Sequence, residues 1–338
     1  MIGTEHEYSI NNGRFQPLPA SDRIIQSICS RVESEILFGD TKLGKELQKT
    51  VLEFVPRAPA EDLPTLTLDQ TAVWDHDEGE YYAVYDRLFD IRQHGWLNIQ
   101  ALQINLSYAN DRELISMYNQ VRSLLPYLIA VTASSPMVEG RRTGSMDNRL
   151  LYYRRNQEEI PGLCNRIIPE KIRSVAEYRA FQEELFCELR YRNADILCEE
   201  WVNSAGLIIR FSRRCLEIKA LDEQESIHSD MAVCAFVRSL LRCRALPAEE
   251  DRDGLLDLTE RAIRGGTRNL KQELGKLYDE AWKHATPEER GYLPVIRHRI
   301  ERGSLAELIQ DRSERENDIT PVLGELAECL KTNRSYLP

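Results

Sequence analysis

The stretch Gly3-Thr4-Glu5-His6-Glu7-Tyr8 sets the first constraint on this chain. Side chains alternate along a strand, so Glu5 and Glu7 share one face while Ile2, Thr4, His6 and Tyr8 share the other. Two carboxylates so placed repel each other unless protons or a cation intervene. A sheet built on this strand must therefore either wet that face or gather cations on it. His6 points away and reads as packed or exposed, not as a ligand on the acidic side. A short motif of this kind is most often a solvated strand face, so partners elsewhere in the chain have to decide.

The chain has 338 residues, 42% of them hydrophobic and 29% charged, a make-up that excludes disordered and membrane-embedded classes. No repeat, low-complexity tract or linker divides it, and residues 1–338 read as one catalytic-sized domain. A net charge of -11 argues against a general nucleic-acid or anionic-membrane binder. The eight cysteines show no C-x-x-C or zinc-like spacing and read as reduced thiols. No targeting segment is visible. The most apolar run, Leu124 to Val138, is interrupted by Thr132, Ser134, Ser135 and Pro136, short of the roughly 18 to 20 residues that cross a bilayer. The cytoplasm is the expected compartment.

Periodicity predicts a helix over Ser21–Leu37 and a strand at Val51–Val55 that carries Glu53 between two valines. A buried, unpaired carboxylate there is costly, so Glu53 either faces water or joins Glu5 and Glu7. Leu66 to Gln93 reads as mostly helical, and Trp96 to Tyr108 as a strand with Gln103, Asn105 and Ser107 on one side. Asp111 opens a helix to about Ser134, Ser135 to Arg155 is loop-like, and Ser174 opens a helix to Leu189. Strands are expected at Ala194–Val202, Leu207–Ser212 and Cys215–Asp222, followed by helices from Asp230 onward. This order suits an α+β fold with a mostly antiparallel sheet. Neither a Rossmann nor a P-loop glycine motif is present.

The ordered motifs resemble the type 2 glutamate–cysteine ligase family of carboxylate–amine ligases. Gly3, Glu5 and Glu7 match its opening G-x-E-x-E, and Glu46 and Glu53 its next pair of carboxylates. Gln103-Ile104-Asn105 stands where the family has H-x-H. Ser135, Pro136, Gly140, Thr143 and Gly144 match S-P-x-x-x-G-x-x-T-G, the most specific element. Asp147 takes the place of a serine just beyond, and Arg149 matches the family arginine. Glu217, Lys219 and Asp222 match its T-x-E-x-R strand and following Asp, with lysine in place of arginine.

The resemblance implies a glutamine-synthetase-like, saddle-shaped antiparallel sheet with helices on its convex face and a helical C-terminal third. It also implies an ATP-dependent ligase that forms an amide through an acyl phosphate. Glu5, Glu7, Glu46, Glu53 and Glu217 are then the expected Mg²⁺ or Mn²⁺ ligands, since hard divalent ions prefer carboxylate oxygens. Gln103, Asn105, Arg149 and Lys219 are expected around the nucleotide, with Lys219 and Arg149 acting on phosphate or substrate carboxylate. Small amino acids and amines are the expected partners, with no nucleic acid or membrane, and a homodimer is the expected assembly. The amides in place of imidazoles and the lysine in place of arginine motivate an alternative, a degenerate nucleotide- or ligand-binding member without turnover. Phosphoryl transfer to a guanidino acceptor is a third reading, with no motif of its own.

Overall fold

The computed structural model describes residues 2–12, 16–38, 41–46, 48–49, 51–55, 79–96, 100–164, 166–243, 251–316 and 318–338. In chain order the first elements are β1 (Ile2–Ser9), α1 (Ser21–Cys29), β2 (Glu35–Phe38), β3 (Thr41–Lys45), β4 (Val51–Val55), α2 (Gly79–Phe89), β5 (Ala101–Ser107) and α3 (Asp111–Thr132). The hairpin β6 (Met137–Val138) and β7 (Arg141–Arg142) follows, then α4 (Asn148–Arg155), α5 (Val175–Tyr191), β8 (Leu207–Arg210) and β9 (Cys215–Asp222). The rest is helical: α6 (Ile227–Arg242), α7 (Arg252–Gly265), α8 (Lys271–His284), α9 (Pro287–Arg290), α10 (Leu293–Arg302), α11 (Leu305–Glu316) and α12 (Thr320–Thr332).

Seven strands form one sheet in the order β2-β3-β4-β1-β5-β9-β8, antiparallel at every described pairing. The alternation of β5 and β9 decides which face is dry. Leu102, Ile104, Leu106, Leu216 and Ile218 pack with Leu114, Tyr118, Val121, Leu125 and Leu128 of α3 in the main core. Helices α6, α7, α8 and α10 extend that core. Each fully buried aliphatic side chain contributes about 1.5–3 kcal/mol, so the apolar face locks the polar residues of the same strands onto the other side. Among the described residues, no helix is long and apolar enough to cross a membrane.

Several expectations give way to local chemistry. The helix expected over Ser21–Leu37 stops at Cys29, where Ser30 turns left-handed (φ 67°), and Glu35–Phe38 pairs as an edge strand. Ala194–Val202 is not a strand but two short 3₁₀ turns, Asp195–Leu197 and Glu200–Val202. Their amides bond three residues back, which lets Leu197 and Val202 bury beside α2. The loop expected over Ser135–Arg155 contains a hairpin and a helix. Glu139 and Gly140 both take positive φ (48° and 71°), the two-residue turn that matches strand twist. Asp147 then caps α4 by accepting from the Leu150 amide at 2.9 Å. Of the helix expected over Leu66–Gln93, residues 66–78 lie outside the described residues, as do 97–99 of the strand expected from Trp96. Helix α3 is capped one residue earlier than expected, by Asn110, and α6 is capped by Ser226, four residues before the expected start at Asp230.

Ile104 is fully buried where β5 meets α3. Ile104→Ala should lower unfolding free energy by about 2–5 kcal/mol without changing the denaturant slope, as read from urea unfolding curves.

Candidate functional site

The polar face of the sheet is the floor of a cavity of about 480 Å³. Strand register explains what lies on it. Glu7 stands directly across from Glu53, Glu5 across from Gln103, and Asn105 across from Glu217. Gly44 stands on the far side of Glu53, and a Cβ added there would sit 3.1 Å from Glu53 Oε2, so the missing side chain leaves room for the carboxylate. Glu46, just beyond β3, completes the acidic set. All five glutamates line this one cavity, together with Gln103, Arg149 and Lys219. Asn105 is placed beside them through its hydrogen bond to Glu5 (3.1 Å).

Lys219 reaches the cavity through a bulge. Leu102 pairs with Leu221 and Ile104 with Ile218, so Lys219 and Ala220 together oppose Gln103. The extra residue lets both Ile218 and Leu221 face the core while Glu217 and Lys219 stay on the polar side. Lys219 Nζ donates to the carbonyls of Trp201 (3.1 Å) and Asn203 (3.4 Å), so it does not neutralise Glu217. That position belongs to Arg210, whose Nη1 lies 2.7 Å from Glu217 Oε2.

Arg149 is buried, with Nε donating to Asp222 (2.8 Å) and Nη2 to the carbonyls of Lys219 (3.0 Å) and Leu221 (2.7 Å). Two of its three nitrogens are thus committed to the scaffold. Asp222 also accepts from the Ser134 amide (3.0 Å) and the Ser135 hydroxyl (2.8 Å), which gives the serine of the S-P motif its place.

Sequence reasoning missed several side chains of the site. Arg210 was legible in principle, since alternation in β8 puts it on the face of Ile208, the partner of Glu217. Arg213, which pairs with Glu5 from the turn after β8, carries no periodic signal. Lys45 of β3 also lines the cavity. An aromatic wall of Tyr81, Tyr82, Tyr85, Trp96, Tyr153 and Trp201 faces the acidic floor, with Tyr85 and Trp96 ring centres 5.1 Å apart.

The electrostatics are those of crowded acids. Burial and then the charge of Glu46 hold the Glu7 carboxyl well above the usual range, against Arg149 and the hydrogen bonds from Ala101 and Gln103. Burial, then Glu46, Glu5 and Glu7 do the same to Glu53. Glu217 Oε1 is buried without a hydrogen-bond partner. An all-oxygen donor set with an orphaned buried oxygen and only partly relieved repulsion fits a hard divalent ion. The glutamates are spread along the floor: among the described residues, the triads already within 4.8 Å of one another are Cys243, Glu280, His284 and His6, Glu223, Asp230.

The mostly antiparallel sheet with its helices is similar to that of solved glutamate–cysteine ligase structures. The crystal structure of glutamate–cysteine ligase from Francisella tularensis in complex with AMP superposes with a TM-score of 0.62, at 12% identity, over 100% of this chain and 89% of that one. A bifunctional glutathione synthetase from Pasteurella multocida gives 0.54 at 12% identity, over 98% of this chain and 51% of that one. At such identities these likenesses establish the fold alone. The model of Glutamate-cysteine ligase family 2 matches residues 67–324, and the chain belongs to that family. An uncharacterized protein of Archaeoglobus fulgidus is 43% identical over the full length of both chains. The family match contains Gln103, Asn105, Arg149, Glu217 and Lys219, whereas Glu5, Glu7, Glu46 and Glu53 precede it and join the site only through the sheet.

The raised carboxyls have a measurable consequence. The unfolded chain releases these protons near pH 4.5, and the native chain only at higher pH. Above that point the native state holds more protons than the unfolded one, so this contribution to stability is full below pH 4.5 and lost as pH rises. Melting temperatures of chelator-treated protein should fall on this side of the profile, and Glu53→Gln should give a shallower fall than wild type.

Proposed function

We propose that this protein is an ATP-dependent carboxylate–amine ligase. The observation that carries the reading is the gathering of five glutamates with Lys45, Arg149, Arg210, Arg213 and Lys219 around one cavity. Joining a carboxylate to an amine is uphill in water. The acid oxygen first attacks the terminal phosphorus of ATP, giving an acyl phosphate and ADP. The amine then attacks the acyl carbon, loses a proton, and phosphate leaves. The first step brings a polyphosphate up to a carboxylate and the second expels phosphate, so concentrated negative charge must be offset where it forms.

Glu5, Glu7, Glu46, Glu53 and Glu217 would hold Mg²⁺ or Mn²⁺, which when bound neutralises phosphate oxygens and favours phosphoryl transfer. Lys219, held by two carbonyls, presents a point charge to phosphate. Arg149 keeps its remaining nitrogen, Nη1, for the substrate carboxylate or phosphate, on a side chain already fixed in place. Arg210 and Arg213 hold Glu217 and Glu5 in position. Gln103 and Asn105 orient Glu7 and Glu5 by donating amide hydrogens (both 3.1 Å). The aromatic wall excludes water from the reacting phosphate, which would otherwise be lost to hydrolysis. Small amino acids and amines are the substrates on this reading, with transfer confined to the cavity, and the protein acts in the cytoplasm.

Those same amide and carbonyl contacts favour one competing reading, a binding protein that keeps the fold without turnover. Incubation with ATP, Mg²⁺ and pooled amino acids and amines, followed by mass spectrometry, separates the two. A condensation product with equimolar ADP is expected, and Glu5→Ala and Glu217→Ala should each reduce it at least about 100-fold while the circular dichroism stays unchanged. Tight ATP binding with no ADP across the whole panel would favour the competing reading, and full activity in both variants would exclude the carboxylate chemistry.

A further inference from the structure

On the opposite side of β1 from the glutamates, His6 meets two acids that the ligase reading does not use. His6 Nδ1 lies 2.9 Å from Glu223 Oε1 and 3.4 Å from Asp230 Oδ2. All three side chains are more than nine-tenths buried: 1%, 5% and 0% exposed. One ring nitrogen, with at most one proton to give, faces two carboxylates. Glu223 Oε2 and Asp230 Oδ2 are buried without a hydrogen bond. Leaving such atoms unmatched in a dry interior is costly, and a proton, a water or an ion has to meet them.

We propose that His6, Glu223 and Asp230 form a second divalent-cation site, separate from the cavity glutamates and selective for a Zn²⁺-class ion over Mg²⁺. The three ligand atoms lie within 4.8 Å of one another. Ligand atoms held 2.0–2.2 Å from one ion are roughly 3–3.5 Å apart, which is the spacing about the imidazole nitrogen here. Two carboxylates balance the ion's charge, so the loaded cluster is neutral, as a buried group should be. The imidazole donor sets the preference, because Mg²⁺ favours oxygen and keeps its waters.

The surroundings are built for the same purpose. With Nδ1 on the ion, the proton sits on Nε2 and is donated to Thr4 Oγ1, 3.0 Å away. The Gln224 amide donates to Asp230 Oδ1 at 3.2 Å and orients that carboxylate. Of the three, Glu223 lines a cavity of about 60 Å³ with Tyr8, Gln100 and Ser134, large enough for water beside that carboxylate. Gln100 Nε2 is likewise buried without a partner beside it. An ion here would tie β1 to the end of β9 and to α6. The proposal does not depend on the ligase reading.

The test uses the full-length chain, stripped with a chelator and dialysed against Zn²⁺ in excess Mg²⁺. Metal content and zinc X-ray absorption are then measured. About one Zn²⁺ per chain should be retained, with imidazole scattering in its coordination shell. Glu223→Gln and Asp230→Asn should each retain roughly a tenth as much or less. Zinc bound without an imidazole ligand, no zinc retained, or equal retention by folded variants and wild type would each overturn the site. If either variant fails to fold, the wild-type spectrum decides by its sulfur content: zinc with imidazole and no sulfur ligand supports the site, whereas a sulfur ligand places the ion at Cys243, Glu280 and His284 and overturns it.

Discussion

Glu7 and Glu53 stand face to face across β1 and β4, and much of the molecule answers to that repulsion. Like charges directly opposed on a sheet are destabilising. The core on the other face fixes the register, because a one-residue slip in a strand would turn its apolar side chains, such as Leu102, Ile104 or Ile218, out of the interior and its polar ones into it. Hydrophobic burial on one side therefore sustains electrostatic crowding on the other. The surrounding lysines, arginines and amides soften the crowding without removing it.

The acidic floor was legible because strand periodicity is strict. Glu5 and Glu7 share a face by geometry, and so do Glu217 and Lys219. The ordered motifs added the partners, and the family match spans the part of that order from residue 67 onward. Secondary structure was least legible where backbone chemistry overrides pattern. Ser30 ends a helix whose apolar stripe continues past it, and Asp147 starts one inside a stretch rich in Gly and Arg. The aromatic wall was hidden for another reason: Tyr85, Trp96 and Trp201 are far apart in the chain and meet only through tertiary packing.

His6 shows how one alternating strand can carry two separate chemistries. Its neighbours in sequence face the wide cavity, while it faces a dry pair of acids behind the sheet. Burial opposes its charged form, yet Glu223 and Asp230 outweigh that and push its pKa up to about 10. In the absence of an ion, a proton therefore holds these groups together, and its contribution to stability is full below pH 6.5 and lost as pH rises through about 10.

Arg149 lines both the wide cavity and the narrow one behind it. Drawing its guanidinium toward a guest would strip Asp222 of its counter-charge in the interior and free the two serines moored to that carboxylate. The side chain thus behaves as a bulkhead and not as a swinging arm. Anything that binds must come to it, which turns this arginine into the fixed datum from which positions in the chamber are measured.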